Sequence, residues 1–334
     1  MGSINKLSCP RTENEIKTHW KYTDKIYTTC ICTAYNHENY IKDTLDSILA
    51  QKTEYRFELV IHDDKSTDNT TEIILEYKSK FPNIITLIMQ DENQYSKGKK
   101  LISLVTPFIN GEYTAICEGD DFWTDEFKIQ KQISSLIKNP KINLCTHGAV
   151  ITNETGDILP TKFRVHRKDS GIIPYRNVFL TGGQFCATAS MFFRTNMLNK
   201  ELPLFFKNAP VGDFPLEVYL GLNNIYYIPD IMSTYRLCYS NNSWSTQTLS
   251  DISIKISFLN KMKQLCWEIF TWLPVYKKIN IFYKLGIVNK EISKCYMMKN
   301  QKSNTLKYWF FSLFIRVKYN KDDISIIKYL LKVI

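Results

Sequence analysis

Residues 113–123 read Tyr-Thr-Ala-Ile-Cys-Glu-Gly-Asp-Asp-Phe-Trp. A run of strand-forming residues, Tyr113 to Cys117, stops on three carboxylates, Glu118, Asp120 and Asp121, and a helical pattern follows from Asp125 to Lys138. A short apolar run, a polar turn and an amphipathic stretch together describe a strand feeding a crossover helix. The same unit recurs upstream. A β-rich run (Tyr27 to Thr33) precedes a helical stretch (Glu38 to Gln51), and a second run (Phe57 to Ile61) precedes another (Asp68 to Lys80). A third run (Ile84 to Met89) leads to a Lys-rich helix start near Lys97. Such alternation predicts an α/β fold with a mostly parallel, doubly wound sheet. Ligands of these sheets lie outside the carboxyl ends of the strands, so the residues just after each apolar run are the candidates for chemistry.

Three clusters occupy such places, and a fourth precedes a predicted helix. Thr33-Ala34-Tyr35-Asn36 follows the first run and suits a nucleoside lying against the turn, or a turn with Asn36 as a local cap. His62-Asp63-Asp64-Lys65-Ser66-Thr67-Asp68 follows the second. Helix capping accounts for Ser66, Thr67 or Asp68 but not for the adjacent Asp63 and Asp64, which repel one another unless a donor or cation offsets the charge. An imino N–H of uracil is one suitable donor. Glu118-Gly119-Asp120-Asp121 follows Tyr113 to Cys117, and Mg²⁺ or Mn²⁺ takes one or two such carboxylates together with phosphate and water. Gly119 permits a tight turn beside a bulky ligand. The fourth cluster is Val211-Gly212-Asp213-Phe214-Pro215-Leu216, where Asp213 also reads as an N-cap and Pro215 as a first-turn residue.

Downstream, Asn143 to Ile151 and Ser190 to Arg194 read as strands and Phe214 to Leu222 as a helix. Residues 1–25 form an irregular arm or a short docking helix, 26–250 the catalytic domain, and 251–334 a basic helical appendage. Of the 334 residues 44% are hydrophobic and 23% charged, which suits a folded globular chain. The net charge of +10 resides in the tail, with 16 Lys and Arg against 5 Asp and Glu in residues 251–334 and 27 against 28 before them. A nucleic-acid partner is therefore not expected. Nine cysteines in apolar surroundings, with no Cys-x-x-Cys pair, suggest reduced buried thiols and a cytoplasmic setting. No window reaches the roughly 18 apolar residues of a membrane span.

In order and spacing the four clusters resemble family 2 glycosyltransferases, which have the GT-A nucleotide-diphospho-sugar transferase fold. The resemblance spans about residues 27–245. It implies that Thr33, Tyr35 and Asp64 hold the nucleoside, that Asp120 lies near the ribose or metal, and that Asp121 is the direct ligand of Mn²⁺ or Mg²⁺. Asp213 matches the catalytic base. Lys97 and Arg236 would approach the diphosphate of a nucleotide-sugar, with UDP as the expected nucleotide. Related sequences often carry Tyr-Arg-x-His where this chain reads Tyr235-Arg236-Leu237-Cys238, so the histidine contact to metal or diphosphate is missing here. The acceptor would be a glycan or a lipid-linked saccharide. The basic tail suits docking to an inner membrane face, a partner or homo-oligomer contact, or a cap on the catalytic domain. The rival readings are a non-catalytic binding protein of the same fold and a nucleotidyltransferase. The latter lacks its Gly-rich phosphate loop, because Tyr35-Asn36-His37-Glu38 follows the first strand.

Overall fold

The computed structural model describes residues 6–198, 201–237 and 251–313. They separate into two compact units. One lies within residues 1–175, 186–201 and 216–238, the other within 176–185, 202–215 and 239–334.

The first unit is built on strands β1 (Thr28–Ala34), β2 (Phe57–Asp63), β3 (Ile85–Met89), β4 (Tyr113–Glu118), β5 (Leu144–Thr152), β6 (Ile158–Phe163), β7 (Gly171–Ile173), β8 (Phe192–Arg194) and β9 (Ile225–Arg236). Among the described residues they form one sheet in the order β3-β2-β1-β4-β8-β5-β9-β7, with β6 paired to β5. The first four strands in that order are mutually parallel. β8 enters antiparallel to both neighbours, and β9 runs parallel to β5. β2 is buried along its whole length and β1 at every residue but Thr33, as expected where helices cover both faces of a parallel sheet. The helix Ile41–Leu49 supplies Ile41, Leu45, Ile48 and Leu49 to that core, and Lys128–Lys138 supplies Ile129, Ile133 and Leu136.

The Lys-rich stretch after β3 departs from expectation. The helix there is Leu101–Val105, continued by a 3₁₀ turn at Thr106–Phe108, and Lys97 lies before it. The preceding loop is held elsewhere: the backbone N–H groups of Gln94 and Tyr95 donate to the Asp64 carboxylate at 2.7 and 3.0 Å. These bonds tie the loop before the helix to the end of β2. In the N-terminal arm, a short helix at Glu13–Lys17 is capped by the Thr12 side chain and buries Ile16.

The second unit is helical. Ile252–Trp272 opens on Asp251, whose carboxylate accepts from the N–H groups of Ser253 and Ile254. Ile279–Met298 and Lys302–Leu313 follow. Leu259, Leu265 and Ile269 on one helix and Ile281, Leu285, Val288 and Ile292 on the next are buried at helical spacing. Phe205 meets Trp272 edge to face at 5.2 Å between ring centroids. Among the described residues no helix is long and apolar enough to cross a membrane. The eight described cysteines are free thiols, seven of them buried, and Cys238 lies outside the described residues.

Candidate active site

The carboxyl ends of β2, β1 and β4 lie side by side. Thr33 is the register partner of His62 on one side and of Glu118 on the other, and Ala34 pairs with Asp63. Strands paired this way are about 4.8 Å apart, so the first three sequence clusters meet on one edge of the sheet. Thr33 is half-buried and Tyr35 stands 45% exposed there.

The turn after β4 is fixed from several directions. Gly119 donates to the carbonyl of Thr33 at 2.8 Å. A Cβ at Gly119 would lie 2.6 Å from His37 Nδ1 and 2.9 Å from the Thr33 oxygen, so only glycine fits this approach. The Thr44 hydroxyl donates to the carbonyls of Gly119 and Asp121. The chain then runs along β9: Phe122 and Thr234 exchange hydrogen bonds, and Thr124 N donates to Met232 O. The Trp123 indole reaches Ala189 O at 3.0 Å, and the buried ammonium of Lys128 lies 3.9 Å from the centroid of its ring. Burial pushes the Lys128 pKa down to about 8.

Asp121 is 2% exposed, and its Oδ1 accepts the backbone N–H of Arg236 at 2.7 Å. Burial, followed by the charges of Asp120 and Glu118, holds this carboxyl well above the usual carboxylate range, with the Arg236 N–H pulling the other way. Asp120, half-buried, accepts no hydrogen bond from the described residues. Asp121 thus engages one carboxylate oxygen with the β9 backbone, while its Oδ2 and the Asp120 carboxylate accept no hydrogen bond among the described residues.

At β2 both acids are engaged by protein. Asp63 Oδ1 accepts from the N–H and hydroxyl of Ser66, and Oδ2 from the Thr71 hydroxyl at 2.6 Å. Asp64, expected to meet uracil, accepts from the Gln94 and Tyr95 amides. Asn36 and Glu38 tie the first turn to the second through Thr67 and Asn69. Lys97 is exposed and ion-paired to Glu92.

Arg236 ends β9 beside the β4 turn. Its Nη2 pairs with Asp43 at 2.8 Å, and its guanidinium lies 4.7 Å from the Tyr40 ring centroid and 5.3 Å from that of Phe122. The side chain is buried, and its Nε and Nη1 have no hydrogen-bond partner among the described residues. Two unpartnered but buried guanidinium donors beside partly exposed carboxylates suit a metal-bound anion such as a diphosphate once it enters the turn. No group of three or more His, Cys, Asp or Glu side chains with metal-binding proximity occurs among the described residues. One or two carboxylates suffice for Mg²⁺ or Mn²⁺ when phosphate completes the shell.

Asp213 belongs to the second unit. It opens the helix Asp213–Leu220, and its Oδ1 accepts from the Phe214 N–H at 2.7 Å. The ammonium of Lys284, itself 1% exposed, lies 4.4 Å from the Phe214 ring centroid and donates to the carbonyls of Thr181 and Gly183 at 2.9 Å each. Sequence reasoning missed Lys128 and Lys284. Each lies on the apolar stripe of its helix, Lys284 between Ile281 and Val288 and Lys128 four residues before Gln132 and eight before Leu136, and that placement was the available signal.

A family model described as glycosyl transferase family 2 matches residues 29–201. An uncharacterised protein of Mycobacterium tuberculosis is 31% identical over 216 residues, covering 62% of this chain and 57% of that protein. The Escherichia coli UDP-Glc:α-D-GlcNAc-diphosphoundecaprenol β-1,3-glucosyltransferase WfgD is 31% identical over 117 residues, 35% of this chain and 43% of that enzyme. The chain thus spans about half the length of these curated relatives. Among solved structures, the mannosyltransferase PcManGT from Pyrobaculum calidifontis, in complex with GDP-Man and Mn²⁺, superposes with a TM-score of 0.56 at 13% identity. That match covers 95% of this chain and 92% of that one, a likeness of fold.

Proposed function

The chain belongs to glycosyl transferase family 2, and from that premise we propose that it moves a sugar from a nucleotide-diphospho-sugar to an acceptor hydroxyl with inversion at the anomeric carbon. UDP is the proposed nucleotide, and a glycan or lipid-linked saccharide the acceptor. The observation that carries the reading is the difference after β4, where Asp121 Oδ1 holds the Arg236 amide and Asp120 has no donor among the described residues.

In this reading Thr33 and Tyr35 line the nucleoside side. Asp64 would contribute through the Gln94 and Tyr95 loop that it holds, and its contact with uracil would require exchange of one of those hydrogen bonds. Asp120, with Glu118 beside it, would hold Mn²⁺ or Mg²⁺, which when bound offsets charge on the diphosphate. The buried, unpartnered Nε and Nη1 of Arg236 would donate to the same phosphate oxygens on entry of the ligand. Lys97 would join them only by leaving Glu92. Asp213 takes the proton of the acceptor hydroxyl as that oxygen bonds to the anomeric carbon. The bond to the donor phosphate breaks, and its electron pair leaves with the nucleoside diphosphate.

The test is UDP release from a panel of UDP-sugars with Mn²⁺ and a saccharide acceptor. Asp213→Asn is expected to keep donor affinity while turnover falls about 10²–10⁴-fold. Near-normal turnover in that variant would remove Asp213 as the base.

A further inference from the structure

The connection between helices Ile252–Trp272 and Ile279–Met298 carries large apolar side chains that are mostly exposed. Val275 is 84% exposed, Tyr276 77% and Ile279 62%. Single exposed hydrophobics are ordinary on a protein surface, but three within five consecutive residues form a patch that calls for a partner. Their exposure is not a packing failure of the hairpin. The flanking helices already pack Phe270, Phe282 and Trp267 on one another, with ring centroids 5.6 Å apart for Phe270 and Phe282 and for Trp267 and Phe270.

Charge indicates what the partner is. Lys277 and Lys278 lie inside the patch, the ammonium of Lys278 4.8 Å from the centroid of the Phe270 ring and that of Lys277 5.6 Å from the Tyr276 ring. Between Glu268 and Glu291 the sequence holds no acidic residue. We propose that this tip, Val275 to Ile279, docks on the anionic surface of a phospholipid bilayer. Val275 and Ile279 enter the acyl boundary, Tyr276 sits at the headgroup level where amphipathic rings are favoured, and the two lysines meet lipid phosphates. A second copy of the chain fits less well, because a two-fold contact through this patch would bring four lysines together with no acid between them. The inference rests on this surface alone and not on the transfer reaction.

The experiment is flotation of the full chain with vesicles of phosphatidylglycerol and phosphatidylcholine, and with phosphatidylcholine alone. The unaltered chain is expected to float with the anionic vesicles only. Lys277→Gln/Lys278→Gln should lower partitioning about thirtyfold at low salt, since each lysine near an anionic surface contributes on the order of 1 kcal/mol. Val275→Ser/Tyr276→Ser/Ile279→Ser should lower it at least about tenfold, because apolar insertion supplies the remainder. Val275, Tyr276 and Ile279 are exposed and Lys277 and Lys278 half-buried, so circular dichroism melts matching the unaltered chain should report that both variants are folded. The proposal is overturned if the unaltered chain stays at the bottom of the gradient, or if the serine variant floats as well as it does. It is also overturned if the chain dimerises without lipid and the serine variant abolishes the dimer.

Discussion

The ends of β2 and β4 both place two adjacent aspartates on the same edge of the sheet, yet they use them differently. Asp63 and Asp64 are both consumed by protein donors: Ser66 and Thr71 for the first, the Gln94 and Tyr95 amides for the second. After β4 the described residues supply one donor to Asp121 Oδ1, the Arg236 amide, and none to Asp120. Neighbouring acids at a strand end are therefore not in themselves a ligand site. What marks one is the member for which the fold supplies no donor.

Removing Asp63 should have the largest effect on folding. Asp63→Ala leaves the Ser66 amide and hydroxyl and the Thr71 hydroxyl without an acceptor in a part-buried turn, and should cost about 3 kcal/mol by urea denaturation. A loss below about 1 kcal/mol would mean that the second turn does not depend on it.

The support beneath β4 gives a smaller, pH-dependent effect. Lys128 titrates near 8 in the folded chain and near 10.4 when unfolded, so between those values the unfolded chain binds more protons and this group's contribution to stability rises with pH. Below about pH 8 the cost of its buried charge is fully present. The stability difference between the native protein and Lys128→Met should therefore change by about 2–3 kcal/mol from pH 8 to pH 10 in favour of the native protein. A pH-independent difference would show that the ammonium is not buried as described.

Asp121→Asn should have the smallest effect, and its sign is informative. An amide oxygen still accepts from Arg236, while the cost of ionising a buried carboxyl disappears. The variant should be stabilised by about 1 kcal/mol at pH 7, with the gain growing as pH rises from about 4. Thermal melts across that range check this, and a lowered melting temperature would contradict the anchor role.

Much of this arrangement was legible in the sequence. The strand-helix alternation and the polar residues after each apolar run placed Thr33, Asp63 and Glu118 on one edge before any coordinates, because the side-chain pattern of a parallel sheet is local. The roles of the two β4 aspartates were not legible. Adjacent residues on a turn differ by where the backbone of β9 passes, more than a hundred positions away in the chain, and no local pattern encodes that. The fold of the loop around Lys97 was likewise not legible, since Asp64 holds its Gln94 and Tyr95 amides from a distance in sequence. Lys128 and Lys284 read as solvated by residue type, while their position on an apolar stripe was the better guide.

The most direct test of the central claim is calorimetric titration of UDP with Mn²⁺ into the native chain, Asp120→Asn and Asp121→Asn. The account predicts that Asp120→Asn weakens metal-dependent binding at least about tenfold, while Asp121→Asn stays within about threefold of native. The reverse order, with Asp120→Asn binding normally and Asp121→Asn failing to bind, would contradict it.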